Sequence, residues 1–214
     1  MPSVDYQRAR RHLMRVDPVL AAIVKAHGPC GLAHRRAEPP LRALARALVN
    51  QQLSVKAGAT IFSRFLGLFP GQAFPSPAQI RAVPAERLRE VGLSWRKAAY
   101  LHDLCERTSA GTLPLDRLEA MTDDEVMATL TAVKGIGRWT AEMVLIFQLG
   151  RPDILPLDDV GLLRAVKQVY GLRRPPGPAK FTRMAEKWRP YRSIACWYLW
   201  AELDKEPLGD AAWE

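Results

Sequence analysis

Two groups of residues have the types and spacing to do chemistry. One is Val133-Lys134-Gly135-Ile136-Gly137, a tight turn whose glycines leave backbone N–H groups open to a ligand; the other is Pro156-Leu157-Asp158-Asp159, two carboxylates at the start of a predicted helix. Amides presented by a glycine turn before a helix take up phosphate oxygens. A carboxylate nearby can then act beside the held phosphate chain. A lone G-x-G is common in turns, and its weight here comes from the order around it. That order is a capped helix, Gly-Ile-Gly, the basic Arg138, an apolar helix over Ala141 to Leu149, Gly150 as its stop, a proline-bearing loop, Asp-Asp and another helix.

The elements that must position these groups are legible as helices. Thr122-Asp123-Asp124-Glu125 has the form of a capping box and predicts a helix to about Thr131 with Val126, Met127 and Leu130 on its apolar face. Gly135 and Gly137 are expected to supply positive φ and close backbone approach. Arg138-Trp139-Thr140 then begins the second helix with free N–H groups. The third helix is expected from Asp159 to Tyr170, and either aspartate suits its N-terminus.

Elsewhere, Pro18 to Lys25 forms the one amphipathic segment of residues 1–38, stopped by Gly28-Pro29. Pro40 to Leu53 places Leu41, Leu44 and Leu48 on one helical face and Arg42 and Arg46 on another, and ends in the polar Asn50-Gln51-Gln52-Leu53-Ser54 before a helix over Val55 to Phe69. Four prolines and a glycine make Pro70 to Pro84 an irregular crossover. Helical patterns return at Pro84 to Val91 and at Ser94 to Ala110, Leu115 to Ala120 leads into the central stretch, Arg173 to Pro178 reads as a turn, and Leu208 to Glu214 as a frayed tail. Period-two alternation is missing over any useful length, so the expected class is all-α.

Composition narrows the function classes. With 48% hydrophobic residues among 214, the chain buries a core, and 31 Lys and Arg against 22 Asp and Glu give a net charge of +9 that attracts a polyanion. Cys30, Cys105 and Cys196 form no C-x-x-C pair, which argues against zinc, an iron–sulfur cluster or a disulfide framework and leaves a reducing cytoplasm as the expected location. No signal-peptide pattern or membrane-length apolar run is present in the sequence.

Taken together, Leu130 to Ala141 and Leu155-Pro156-Leu157-Asp158-Asp159 resemble the helix-hairpin-helix Gly/Pro/Asp superfamily of DNA glycosylases. Gly137-Arg138-Trp139-Thr140-Ala141 and Trp188-Arg189-Pro190-Tyr191-Arg192-Ser193 resemble its alkylation-repair branch, 3-methyladenine DNA glycosylase II. The resemblance spans roughly Leu41 to Trp200. It implies an all-helical, two-lobed fold with the substrate cleft between lobes, and the segment before Leu41 is too short for the extra N-terminal α+β domain of some members. The lobes are expected at roughly 1–38 plus 115–214 and 40–114, with the hairpin-containing part extending over 40–170 as the alternative.

By this resemblance Asp159 is the catalytic residue while Asp158 caps, Trp139, Met143 and Trp200 line the base pocket, and Lys134, Gly135, Gly137, Arg138 and Thr140 bind DNA. Trp197 is a weaker pocket candidate, and ordinary core packing is the alternative for each tryptophan. Gln51, Gln52 and Leu53 fall where a side chain fills the gap left by a flipped nucleotide, with Gln52 or Leu53 as the wedge. Trp139 stands where members that also cut the strand carry a Schiff-base lysine, which implies a monofunctional enzyme using water. Backbone carbonyls of Thr131, Val133 and Ile136 match a monovalent-cation site of some members; no cofactor is implied. The implied partner is double-stranded DNA with alkylated bases, bound by a monomer. A bifunctional glycosylase and lyase, or a helix-hairpin-helix module that only grips DNA, are the competing readings.

Overall fold

The computed structural model describes residues 4–34 and 38–204; the predicted C-terminal tail lies outside these. Every regular element among them is helical. The chain starts in one compact unit, leaves for a second that runs from 38 to Val144, and returns to the first at Leu145.

The N-terminal segment holds two helices where the sequence pattern suggested one. α1 (Tyr6–Val16) begins at Asp5, whose side chain accepts from Arg8 N at 2.9 Å, and buries only Ala9 and Leu13, too sparse a stripe to stand out in the sequence. Asp17 alone separates it from α2 (Pro18–His27), where Pro18 takes the first helical position, which needs no N–H donor.

In the second unit, α3 (Pro40–Asn50) is followed by α4 (Val55–Leu66), capped by Ser54. The proline-rich connection is not wholly irregular: Ser76 and Gln79 form a capping box on α5 (Pro77–Ala82). α6 (Ala85–Glu90) leads to α7 (Trp95–Ser109), the longest helix, against which α3, α5 and α6 pack. Leu115 to Ala120 is a series of turns, because two buried leucines, Leu113 and Leu118, anchor it without a helical stripe between them. α8 (Asp123–Thr131) carries the expected capping box, and α9 (Arg138–Met143) widens into a π turn at Val144–Gln148. Leu44, Leu48, Phe65, Ile80, Leu88, Leu101 and Leu130 are buried here, each contributing about 1.5–3 kcal/mol. Arg46, on a different face from the leucines, is also buried and pairs with Glu38 at 2.7 Å.

The division therefore falls at 144/145, not 114/115. α8 packs on α9, and Asp103 of α7 accepts from the Lys134 amide at 2.9 Å, so the hairpin belongs with α7.

Back in the first unit, α10 (Val160–Val169), α11 (Pro178–Ala185) and α12 (Arg192–Asp204) complete the fold, with α12 packed on α2 and α10. Its hub is Asp17. This fully buried carboxylate caps α2 and accepts from Tyr170 Oη at 2.6 Å and Trp188 Nε1 at 2.8 Å, with Lys187 Nζ 3.1 Å away. Burial works to raise its pKa, but these donors together hold it below the usual carboxylate value. Cys30, Cys105 and Cys196 are buried free thiols, and burial pushes the first two up to about 12. No described helix is long and apolar enough to cross a membrane.

Candidate active site and nucleic-acid interface

In the first unit the catalytic candidate sits where a loop meets α10. The loop is tied to the start of α12: Ser193 N donates to Pro152 O at 2.9 Å, and Ile154 N donates to Ser193 Oγ at 2.9 Å. Arg192 holds Asp153 through Nε to Oδ1 at 2.8 Å and Nη2 to Oδ2 at 3.0 Å, a two-point clamp reinforced by Arg189 Nη1 at 2.7 Å. Trp188 to Ser193, singled out in the sequence for resemblance alone, thus has a positioning task.

Asp159 follows this anchored loop. Its Oδ1 accepts from Leu162 N at 2.5 Å, capping α10, and from Trp200 Nε1 at 3.0 Å. Asp158, expected as the cap, is exposed; Asp159 itself caps α10 as well as occupying the candidate position. The cap falls to Asp159 through backbone geometry, since it is the residue with extended φ and ψ immediately before the helix. Asp159 and Trp200 are both buried, and the Phe147 ring lies 5.8 Å from Trp200. A Cβ at Gly161 would stand 3.4 Å from Asp159 Oδ1, an ordinary van der Waals contact. The result is a carboxylate in one fixed orientation, suited to stabilising a cation that develops beside it. Trp197, by contrast, is core: it stacks edge-on against Tyr198 at 5.0 Å and lies over Gly31, where a Cβ would stand 2.8 Å from its ring.

The second unit carries the hairpin. Gly135 has φ +85°, and a Cβ there would overlap the Tyr100 ring at 2.2 Å, so only glycine fits. Gly137 differs from expectation. Its φ is −88°, extended backbone, and a Cβ would meet nothing within 4 Å. Its value is the open space over the start of α9. The first-turn amides of Arg138, Trp139 and Thr140 lie in that start, while the Thr140 side chain is buried. The Lys134 amide is already bonded to Asp103, and its exposed ammonium stands 3.6 Å from the same carboxylate. Burial tends to raise the Asp103 pKa, and the Lys134 amide and Arg107 outweigh it. Arg138 is exposed with Nε 2.9 Å from buried Glu142, Trp139 is 44% exposed, and Met143 is buried. Val133 O accepts from Ile136 N at 3.1 Å, closing the hairpin turn.

Gln51, Gln52 and Leu53 form the turn after α3. Gln51 is not a free wedge: its side chain donates to Gly135 O at 2.7 Å. Gln52 is exposed with φ +59°, and Leu53 is 38% exposed. Lys97 Nζ donates to Val49 O at 2.6 Å and Gln51 O at 2.7 Å. Its pKa is lowered by burial and by neighbouring Arg96. A cavity of about 230 Å³ is lined by Gln51, Gln52, Arg96, Lys97, Tyr100 and Gly135. Lys97, Tyr100 and Asp103 escaped the sequence reading, although their three-residue spacing on α7 is a polar stripe beside apolar Ala98, Leu101 and Leu104.

Residues 45–190 match the HhH-GPD superfamily of base excision DNA repair proteins. The chain belongs to that superfamily. Among HhH-GPD relatives, it is 36% identical over 198 residues to the alkylbase DNA glycosidase-like protein mag2 of Schizosaccharomyces pombe, covering 92% of this chain and 93% of that protein. It is 38% identical over 162 residues to DNA-3-methyladenine glycosylase 1 of the same organism, covering 75% and 71%. The solved structure of S. pombe 3-methyladenine DNA glycosylase with abasic DNA superposes with a TM-score of 0.78 at 34% identity, over 91% of this chain and 95% of that one. The all-helical HhH-GPD fold expected from the sequence is thereby confirmed.

Proposed function

We infer that this protein is a monofunctional DNA glycosylase that removes alkylated purines of the 3-methyladenine type from duplex DNA and leaves an abasic site, the first step of base excision repair. The observation that carries this reading is Asp159 held by Leu162 N and Trp200 Nε1 in an HhH-GPD chain whose relatives are named for this activity. Breaking the bond between base and deoxyribose builds positive charge on the sugar, and a fixed carboxylate stabilises that charge. An N-alkylated purine is already cationic and leaves with little help. An exposed indole such as Trp139 suits recognition of such an electron-poor ring.

Water is the proposed nucleophile. Trp139 offers no amine for a Schiff base, and Lys134 is engaged by Asp103. The open start of α9 supports a role as phosphate grip, and the exposed Gln52–Leu53 tip a role in filling the vacated stack. Action as a cytoplasmic monomer completes the proposal, with the buried free thiols as support for a reducing location.

The test is incubation of purified protein with dimethyl-sulfate-treated DNA and chromatography of the released bases. Free 3-methyladenine is expected, without a covalent protein–DNA adduct on borohydride treatment. No released base from any alkylated duplex would overturn the enzymatic reading, and a trapped adduct would overturn the monofunctional one.

A further inference from the structure

We propose that Lys97 is a positioning residue that locks the Gln52–Leu53 tip in register with the DNA-gripping hairpin. This rests on the reading of that tip as the gap-filling element.

The last turn of a helix leaves carbonyls without helical partners. At the end of α3, the Lys97 ammonium takes one of them, Val49 O, together with Gln51 O in the turn that follows. From its other end Gln51 reaches Gly135 O in the hairpin, so this residue is held through both its backbone carbonyl and its side-chain amide. The next residue, Gln52, has a left-handed φ of +59°, which a non-glycine residue keeps where its neighbours over-determine it. The Leu53 amide donates back to Asn50 O at 3.1 Å, closing the turn. Gly58 makes room at the opposite side, since a Cβ there would stand 2.6 Å from Asn50 Oδ1.

The same helix that carries Lys97 also supports the hairpin. Tyr100 lies under Gly135, and Asp103 binds the Lys134 amide. Three residues spaced by three along α7 thus fix the tip and the grip to one rigid rod. A side chain that enters the base stack gains from such preorganisation, because ordering the loop at the moment of insertion would subtract from binding.

The test compares affinity for a duplex containing a tetrahydrofuran abasic analogue with affinity for the intact duplex. Loss of a surface charge weakens both equally; a displaced tip lowers only their ratio. Lys97→Met is expected to cut the preference for the abasic analogue about fivefold, with Lys97→Arg restoring most of it through its own paired donors. Gln51→Met, which breaks the second tie, is expected to act likewise and covers the case of a Lys97→Met protein that fails to fold. In a Leu53→Ala background, Lys97→Met is expected to add little further loss. An unchanged ratio in both single variants, equal losses on both duplexes, or a wild-type protein without any preference overturns the proposal. Base release from methylated DNA is scored separately, so failure of the glycosylase reading is distinguished from failure of this one.

Discussion

The Trp200 indole donates to Asp159 Oδ1 at 3.0 Å, on the same oxygen that accepts the Leu162 amide. One carboxylate oxygen thereby serves both the helix cap and the orientation of the group proposed to face the sugar. Asp159→Asn retains an acceptor for both donors, since asparagine caps as well as aspartate. Its melting temperature is expected within a few degrees of wild type, while single-turnover base release falls by about 10²–10³. Differential scanning calorimetry together with chromatographic base release checks the pair, and full activity in Asp159→Asn rules out the assigned role.

Trp200→Phe removes the indole donor and keeps most of the packing against Phe147. A hydrogen bond to a carboxylate contributes about 1.5–3 kcal/mol, so base release is expected to slow roughly 10- to 100-fold. DNA affinity, measured by fluorescence anisotropy, should stay at the wild-type value.

The two hairpin glycines should respond oppositely to alanine. At Gly135 both the positive φ and the Tyr100 ring oppose a methyl group, and Gly135→Ala is expected to lose about 2–3 kcal/mol of stability in urea titrations. At Gly137 the backbone is extended and the space open, so stability should change by less than about 0.5 kcal/mol. If that opening admits a phosphate, Gly137→Ala weakens duplex binding roughly tenfold; unaltered affinity would place the phosphate elsewhere.

Asp17 sets an acid limit on the fold. Its folded pKa is depressed, so its stabilising contribution is complete above the unfolded carboxyl value and is lost as pH falls through the folded one. Thermal scans should show melting temperature dropping below roughly pH 4. Asp17→Asn is expected to cost about 2–4 kcal/mol at neutral pH and to flatten that acid slope. An equally steep slope in the variant would assign acid sensitivity to other carboxylates.

Much of the scaffold was legible because its signals are local. The Thr122 capping box, the glycine hairpin and the aspartates before α10 are each contained in a few residues. What escaped is set by distance along the chain. Asp153 meets Arg192, Asp17 meets Trp188, and Lys97 meets the carbonyl of Val49, none of which periodicity records. Which of Asp158 and Asp159 caps α10 is a one-residue question of helix start, and adjacent residues of the same type offer no pattern to decide it. α1 was missed because two buried residues in eleven make too faint a stripe, whereas α5 was hidden by prolines despite its Ser76 and Gln79 signature.

Asp17, near the beginning of the chain, is bonded to Tyr170 and Trp188, near its end. During synthesis the stretch from 38 to Val144 leaves the ribosome as one contiguous piece and can assemble while translation continues. The scaffold around Asp159 has no such option: its first two helices wait for α12, so the carboxylate acquires its Trp200 partner only after the whole of 38–144 has been made. A nascent chain that stalled between the two would hold the glycine hairpin in place while Asp159 still lacked its indole donor.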